Sequence, residues 1–374
     1  MFRIALLTLA YDRGKLVASL AGVAFAATLA LAQIGLYFGF LETSSSLIRH
    51  AGGDVWVMAK GTRVLDNGER MSAGTRDLLA AHPCVKTVRA VIIAFMPLRK
   101  PDGSLDAVQI IGYDPGLGPA MPWNLRRGLP QDLHGPARVS VDDLDFAKLA
   151  IDGEAIGTSL RVGSEQVYVA AVTEGIRSFT LSPYLFAENE TARRVANMSD
   201  GQATYWVVDL ERPSCATDVI ESVARHPDLD AYTTDEFRKM TEHYWVSGSG
   251  AGTALGFSAI LGLVVGVVIV GQTLYAVTKE HLRELATLKA IGAHPNEIVR
   301  FVAWQAAFLA VVGGGLGVVM AFSVQALAAR HGLFIVLDRL VLTVGCGAVL
   351  TMCAVASLGS IRAVLELEAA EVFQ

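Results

Sequence analysis

The chain has 374 residues, of which 52% are hydrophobic and 18% charged, and its formal net charge is −5. A soluble domain carries about a quarter of charged residues, so with a mean hydropathy of +0.44 the apolar surplus lies outside an ordinary core. The negative balance is mild, and nothing in it suggests a nucleic-acid surface.

The N-terminal segment, residues 1–15, carries Arg3, Arg13 and Lys15 ahead of the first apolar block, residues 16–41. Basic residues, an apolar run and Ala30-Leu31-Ala32 together have the pattern of a cleaved leader. The run continues through Ile34, Leu36, Tyr37, Phe38 and Phe40, however, and so reaches the length of a membrane span. Three further blocks of comparable length lie at 247–278, 298–329 and 340–361. The fold class that follows is an α-helical membrane protein with four transmembrane helices. A large two-lobed α+β extracytoplasmic domain, residues 42–246, lies between helices 1 and 2. With the N-terminus inside, the short inner segments hold Arg3, Arg13, Lys15, Lys279, Arg283, Lys289, Arg300 and Arg362. The short outer loop, 330–339, holds Arg330 and Arg339. This bias places both termini, including the tail 362–374, in the cytoplasm and the large domain outside.

Within the large domain, Thr75–Val88 and Thr217–Thr233 share a plan. Each has a helical pattern (Leu78, Leu79; Val219, Ile220, Val223), a His-Pro pair (His82-Pro83; His226-Pro227) and an extended run. Two such units predict one α+β module whose strands pair across the insertion between them. Strands are predicted at 88–98, 105–113, 159–162, 166–174 and 204–210, with turns at Lys100-Pro101-Asp102-Gly103 and Val162-Gly163-Ser164. Residues 114–136, rich in Pro and Gly, read as an exposed loop region, and residues 137–176 as a second, mostly β lobe. The run Asp142-Asp143-Leu144-Asp145 reads as a solvated or helix-starting acidic patch.

His50, His82, His134, His226 and His243 lack metal-ligand spacing, and the sequence has no Gly-x-Ser-x-Gly nucleophile elbow. Cys84 and Cys215 lie where an oxidising compartment permits a disulfide, which spacing alone does not establish. Cys346 and Cys353, in span 4, read as small packing residues.

Ahead of span 2, Thr234–Tyr244 has helical character, with Thr234 or Asp235 as its cap and Phe237, Met240 and Tyr244 at helical spacing. The expectation is a helix that runs unbroken from the domain into the membrane, with Tyr244 and Trp245 at the interface. Tyr37 and Phe38 mark the corresponding junction of span 1.

Between spans 2 and 3 lies a charged break, residues 279–297. Leu282, Leu285, Leu288 and Ile291 form an apolar stripe, with Arg283, Glu284 and Lys289 on the polar side and Gly292 and Pro295 as stop chemistry. Such a helix at the cytoplasmic surface is a part that a soluble partner pushes on. The sequence contains no Gly-x-x-x-x-Gly-Lys-Ser/Thr, and neither a cofactor nor a metal site is expected in this chain. The polar groups at depth in the spans are Gln33, Gln272, Gln305 and Gln325, which argues against a conduit for small charged solutes. Glycines 252, 256, 262, 266 and 271 in span 2 and 313, 314, 315 and 317 in span 3 suit close helix approach. They also suit a homodimer face and a kink in span 3.

The stretch Val264-Val265-Gly266-Val267-Val268-Ile269-Val270-Gly271-Gln272-Thr273-Leu274-Tyr275, followed by Leu285-Ala286-Thr287-Leu288-Lys289-Ala290-Ile291-Gly292, resembles the FtsX/MacB/LolC group of ABC-transporter permeases. Within it the resemblance is greatest to the DevC-type permeases. The layout of one span, a large domain and three further spans agrees across the chain, as does Ala370-Glu371-Val372-Phe373 near the C-terminus. Ala369 stands where members of the group often have proline.

The resemblance implies a homodimeric permease of the bacterial inner membrane, driven by a separate cytoplasmic ATPase that binds ATP and Mg. The helix Leu282–Ile291 would be its coupling helix. Motion would pass to the periplasmic domain, and a membrane-fusion adaptor and outer-membrane channel would complete an exporter of amphiphiles. The alternative within the group is an FtsX-like regulator that activates a periplasmic hydrolase without transport.

Overall fold

The structure, a computed structural model, describes residues 13–119, 121–178, 180, 182–280, 287, 294–330 and 333–365. The chain divides into two compact units, Phe40–Ala251 on the one hand and Met1–Gly39 with Gly252–Gln374 on the other.

The first helix, α1, runs from Arg13 to Ser44. The central domain follows as α2 (Ser46–Ala51), β1 (Val55–Ala59), α3 (Ala73–Ala80), β2 (Val85–Arg99), β3 (Leu105–Tyr113) and β4 (Leu125–Arg127). Next come β5 (Arg138–Asp142), α4 (Phe146–Leu149), β6 (Ser159–Val162), β7 (Glu165–Thr173), β8 (Tyr184–Glu188) and α5 (Asn189–Val195). It ends with β9 (Tyr205–Leu210), α6 (Ala216–Ala224), β10 (Leu229–Thr233) and α7 (Thr234–His243). Three helices complete the chain: α8 (Ala251–Glu280), α9 (Pro295–Arg330) and α10 (Arg339–Leu365).

Among the described residues, α1, α8, α9 and α10 are the helices long and apolar enough to cross a membrane. In lipid the backbone must satisfy its own hydrogen bonds, and a continuous helix does so. α1, α9 and α10 overrun their hydropathy blocks by a few residues, because hydrogen bonding continues into polar sequence after the apolar run ends. α8 begins inside its block, at Ala251 instead of 247. Small residues set the packing. Ala26, Ala27 and Ala30 of α1 are fully buried, and a Cβ at Gly317 would stand 2.5 Å from that of Ala27. Thr28 Oγ1 donates to the Gly317 carbonyl at 3.1 Å, so α1 and α9 meet almost backbone to backbone. Gly313, Gly314 and Gly317 of span 3 therefore serve contact within the chain, and α9 continues through Gly313–Gly317.

Beyond α9, residues 333–338 run extended against α1. Val336 N–H donates to the Gly35 carbonyl at 3.0 Å, and Gln325 Nε2 donates to the Ile335 carbonyl at 2.7 Å. Gly39 is required here, since a Cβ would lie 2.1 Å from the Phe334 carbonyl oxygen.

The central domain is organised by one long strand. β2 pairs through Val85–Val91 with β9 and through Ile92–Arg99 with β3, so it serves two lobes in turn. In the first lobe the antiparallel order is β10-β1-β9-β2. One face packs Val55, Val57, Val208 and Val88 against Leu79 of α3 and Val219 and Val223 of α6. The other packs Trp56, Met58, Tyr205 and Val207 against Leu47 and Ile48 of α2 and Phe237 of α7. Alternate residues of each central strand thus feed two separate cores.

In the second lobe β2, β3, β8, β5, β7 and β6 follow in order, and β6 pairs back onto β2 through Leu98↔Val162 and Arg99↔Arg161. Six strands close on themselves, which leaves this ring without exposed strand edges. Its interior is filled by Val108, Ile110, Val139, Val141, Leu160 and Val169, and Val195 of α5 packs in the same cluster.

Several expectations are corrected. The strands of the two similar αβ units, β2 and β10, share a sheet but are separated by β9 and β1. β1 and β8 escape a pattern search because Val55–Met58 and Tyr184–Ala187 are buried on both faces, leaving no alternation to detect. The second lobe is wider than 137–176, since it draws β3, β8, α5 and half of β2 into its core. The region 114–136 is not simply exposed: it contains β4, Met121 is buried, and Trp123 stacks on His50 at 3.9 Å between ring centres.

Of the two readings of the acidic run, helix-starting holds and solvated does not. Asp142 and Asp145 are 1% and 2% exposed. Asp142 caps the short helical turn at Asp143–Asp145 by accepting from Leu144 N–H, and it also accepts from Ile176 N–H and Thr173 Oγ1. Asp145 lies 3.8 Å from Arg177. Burial pushes the Asp145 carboxyl up to about 6, against the pull of Arg177.

Candidate functional site

In a chain whose spans flank a large domain, the residues that tie the domain to its flanking helices are the functional candidates. The first junction is nearly continuous helix. α1 ends at Ser44, and a single turn residue, Ser45, separates it from α2. The second junction begins with α7, whose cap is Thr233 rather than the expected Thr234 or Asp235. Thr233 Oγ1 accepts from Glu236 N–H, and the Glu236 carboxylate accepts from Thr233 N–H at 2.9 Å. The motif Thr233-Thr234-Asp235-Glu236 was visible in the sequence as this reciprocal cap.

α2 and α7 are tied at both ends. At one end Ser45 Oγ donates to Glu242 Oε1 at 2.7 Å, and Arg238 holds the same carboxylate at 2.8 and 3.0 Å. At the other, Thr234 Oγ1 donates to the Gly53 carbonyl at 2.6 Å and Thr234 N–H to the Asp54 carbonyl at 3.0 Å. Between these ties lies an apolar seam that includes Leu47, Ile48, Ala51 and Phe237.

Arg89 of β2 secures the C-terminus of α2. It is 4% exposed and donates to the Ala51 carbonyl at 2.9 Å, where a helix end favours a cation. Its other donors grip Asp209 of β9 at 3.1 and 3.0 Å. Burial raises the Asp209 carboxyl, but the bonds from Arg89 and Thr87 prevail and hold it below the usual range.

The second junction then departs from expectation. A π-helical turn spans Tyr244–Gly248, closed by Ser249 N–H to the Tyr244 carbonyl at 2.9 Å. Gly250 follows with φ 76°, a left-handed conformation that interrupts the helix before α8 starts at Ala251. The unbroken helix expected here is therefore absent: Ser247-Gly248-Ser249-Gly250 is poor helix sequence. Trp245 is half-buried in the domain near Asp66, whose carboxylate accepts from Gln109 Nε2 at 2.9 Å. Burial raises the Asp66 carboxyl in spite of that bond.

Of the other junction residues, Phe237 is fully buried against Trp56 and Tyr205, with ring centres 5.4 and 5.6 Å away. Tyr244 meets Trp245 edge to face. Tyr37 and Phe38, half-buried on α1, also meet edge to face and belong to the other unit.

Cys84 and Cys215 are joined in a disulfide with Cα atoms 6.0 Å apart. The pairing of Val85 with Leu210 brings them together, so the bond staples the start of β2 to the end of β9. The coupling-helix residues Leu282, Arg283, Glu284, Leu285, Leu288, Lys289, Ile291 and Gly292 lie outside the described residues. On their far side, Pro295 opens α9 as its first residue, and the Glu297 carboxylate accepts from His294 N–H at 3.1 Å. Read as stop chemistry, Pro295 is thus also a helix start.

Residues 16–225 match the MacB-like periplasmic core domain and residues 256–368 the FtsX-like permease C-terminal domain. The chain belongs to the FtsX/MacB-type family of ABC transporter permeases.

It is 26% identical over 306 residues to an uncharacterized ABC transporter permease of Mycobacterium bovis, covering 80% of both chains. It is 27% identical over 210 residues to the macrolide export ATP-binding/permease protein MacB of Chromobacterium violaceum, covering 52% of this chain and 31% of that one. The chain therefore spans about a third of the length of that MacB. The periplasmic region of MacB from Actinobacillus actinomycetemcomitans aligns over 52% of this chain and 95% of its own, with 12% identity and a TM-score of 0.38.

Proposed function

We propose that this chain is the permease subunit of an ABC exporter of the bacterial inner membrane, acting as a homodimer with both termini cytoplasmic and the central domain periplasmic. A separate ATPase, binding ATP and Mg, seats on the helix Leu282–Ile291. Its motion reaches the central domain along α1, and the domain works with a membrane-fusion adaptor and an outer-membrane channel to export an amphiphile, as in DevC-type systems.

The observation that supports this reading best is the α2–α7 clamp. The chain enters and leaves the domain through two helices bonded to each other at both ends, so displacement of one is felt by the other. The composition of the described spans supports it further. Gln305 is buried at 2% exposure in a bundle whose core is mostly Ala, Val and Leu, which suits a transmitter better than a hydrophilic conduit.

The test is the coupling contact. Replacing Leu285 and Leu288 by Asp puts charge into an apolar seat, at a cost of several kcal/mol. Co-purification of the ATPase is lost while the chain still inserts in the membrane. Undiminished co-purification would remove the proposal.

A further inference from the structure

On the outward face of the second lobe, two arginines stand opposite one another on neighbouring strands. The antiparallel register of β2 and β6 pairs Arg99 with Arg161, and that of β6 and β7 pairs Arg161 with Gln166. Their strand neighbours Leu98, Leu160 and Val162 point into the closed core, so Arg99 and Arg161 must point out of it. Directly opposed side chains have Cβ atoms about 5 Å apart, and like charges in that position destabilise the pair. Among the described residues, neither arginine has a carboxylate within ion-pair distance. The neighbouring Lys100 does have one, Asp106 at 3.0 Å.

The two guanidinium groups line a groove of about 320 Å³ with Lys100, Ser159, Gln166 and the backbone around Ala150. No acidic residue lines it. Such a site repels itself when empty and is relieved by an anion. The geometry also selects which anion. A carboxylate presents two oxygens in one plane and satisfies a single guanidinium fork. A tetrahedral phosphate presents oxygens in several directions and accepts from two forks at once, while Ser159 and Gln166 offer neutral donors beside it.

We propose that the Arg99–Arg161 groove is a phosphate-binding site, taking either a phospholipid headgroup or a free phosphate. The inference is independent of the transport reading. It concerns the closed lobe alone and holds whether or not the chain exports anything.

The experiment uses the full chain in a phosphate-free maltoside detergent. Titration calorimetry is run with inorganic phosphate, with monomeric dihexanoyl-phosphatidylglycerol, with succinate and with hexaglutamate. Saturable binding of a phosphate probe is expected. It should fall about tenfold or more in Arg99→Gln and in Arg161→Gln, because each removes one charge-assisted fork. Arg161→Lys keeps the charge and the fold but loses the fork, and should weaken binding several-fold. Tighter binding of the phospholipid than of phosphate assigns the headgroup as the source, and the reverse assigns free phosphate.

Phosphate should also raise the melting temperature of the wild type and not of Arg161→Gln. Absence of saturable binding by both phosphate probes overturns the proposal. So does equal binding by the arginine variants, or binding of succinate or hexaglutamate as tight as that of the phosphate probes.

Discussion

The two junctions of the central domain are built on different principles. The first passes from α1 to α2 across Ser45 alone and is pinned at its far end by Arg89 on the Ala51 carbonyl. The second leaves α7 through a π-helical turn and a left-handed Gly250 before α8 begins. One keeps its helical backbone as far as Ser44. The other is interrupted by residues that helices disfavour, Gly248 and Gly250 among them. The lesson is that a strong helical pattern up to Tyr244 does not carry a helix through the next six residues. Local sequence beyond the pattern decides where it stops.

The contrast predicts where flexibility is tolerated, and this is the largest expected effect. Ser247 lines a groove with Thr62, Tyr232 and Tyr244. In complexes reconstituted with the ATPase, a solvatochromic dye on Ser247→Cys reports changes in that groove, with Cys346 and Cys353 replaced by Ala. Inserting Gly-Gly-Ser-Gly after Ser45 should abolish the ATP-driven dye response while hydrolysis continues. The same insertion after Ser249 should preserve most of it. Equal responses from both variants would dissolve the distinction.

Removing the pin of the first junction comes next. Arg89→Ala breaks a bidentate pair and strips a donor from the end of α2, which costs about 3 kcal/mol. The low end of the range for buried pairs applies, because the Asp209 side chain is 29% exposed and water compensates in part. Urea unfolding followed by tryptophan fluorescence measures it through Trp56 and Trp206. A loss below about 0.5 kcal/mol would mean that the pin contributes little.

A smaller effect tests the second junction. Gly250→Ala forces a side chain into the left-handed region and should cost about 1 kcal/mol. Hydrogen exchange of the Ser249 amide should rise at the same time. A variant as stable as the wild type would show that the backbone there relaxes into helix, making the two junctions alike.

The smallest effect lies away from both junctions and serves as their control. The raised Asp145 carboxyl contributes stability that is full below its unfolded value near 3.8 and lost as pH rises through about 6. Lowering the pH from about 7.5 to 5.5 should therefore raise the melting temperature by about 3 °C through this group, and Asp145→Asn should reduce the slope by that amount. Asp209, held below its ordinary value, has the opposite sign: its contribution is lost only on acidification below the usual carboxylate range. A slope unchanged in Asp145→Asn would place the pH sensitivity elsewhere.

The sequence by itself determined the four membrane helices and the position of the domain between them. Span length and hydropathy are local properties of a stretch such as Ala251–Ala276, and no partner is needed to read them. It also carried the strands at Leu105–Tyr113 and Ser159–Val162, because their patterns act within a few residues. The cap of α7, expected at Thr234 or Asp235, was missed although the Thr233-x-x-Glu236 spacing held it.

Tertiary structure decided what lies far apart along the chain. Whether β6 returns to β2, whether Cys84 meets Cys215, and which carboxylate receives Ser45 depend on registers set by the packing of whole strands. Strands buried on both faces, such as β1, carry no periodic mark of their own, so their place in the sheet follows from the neighbours that cover them.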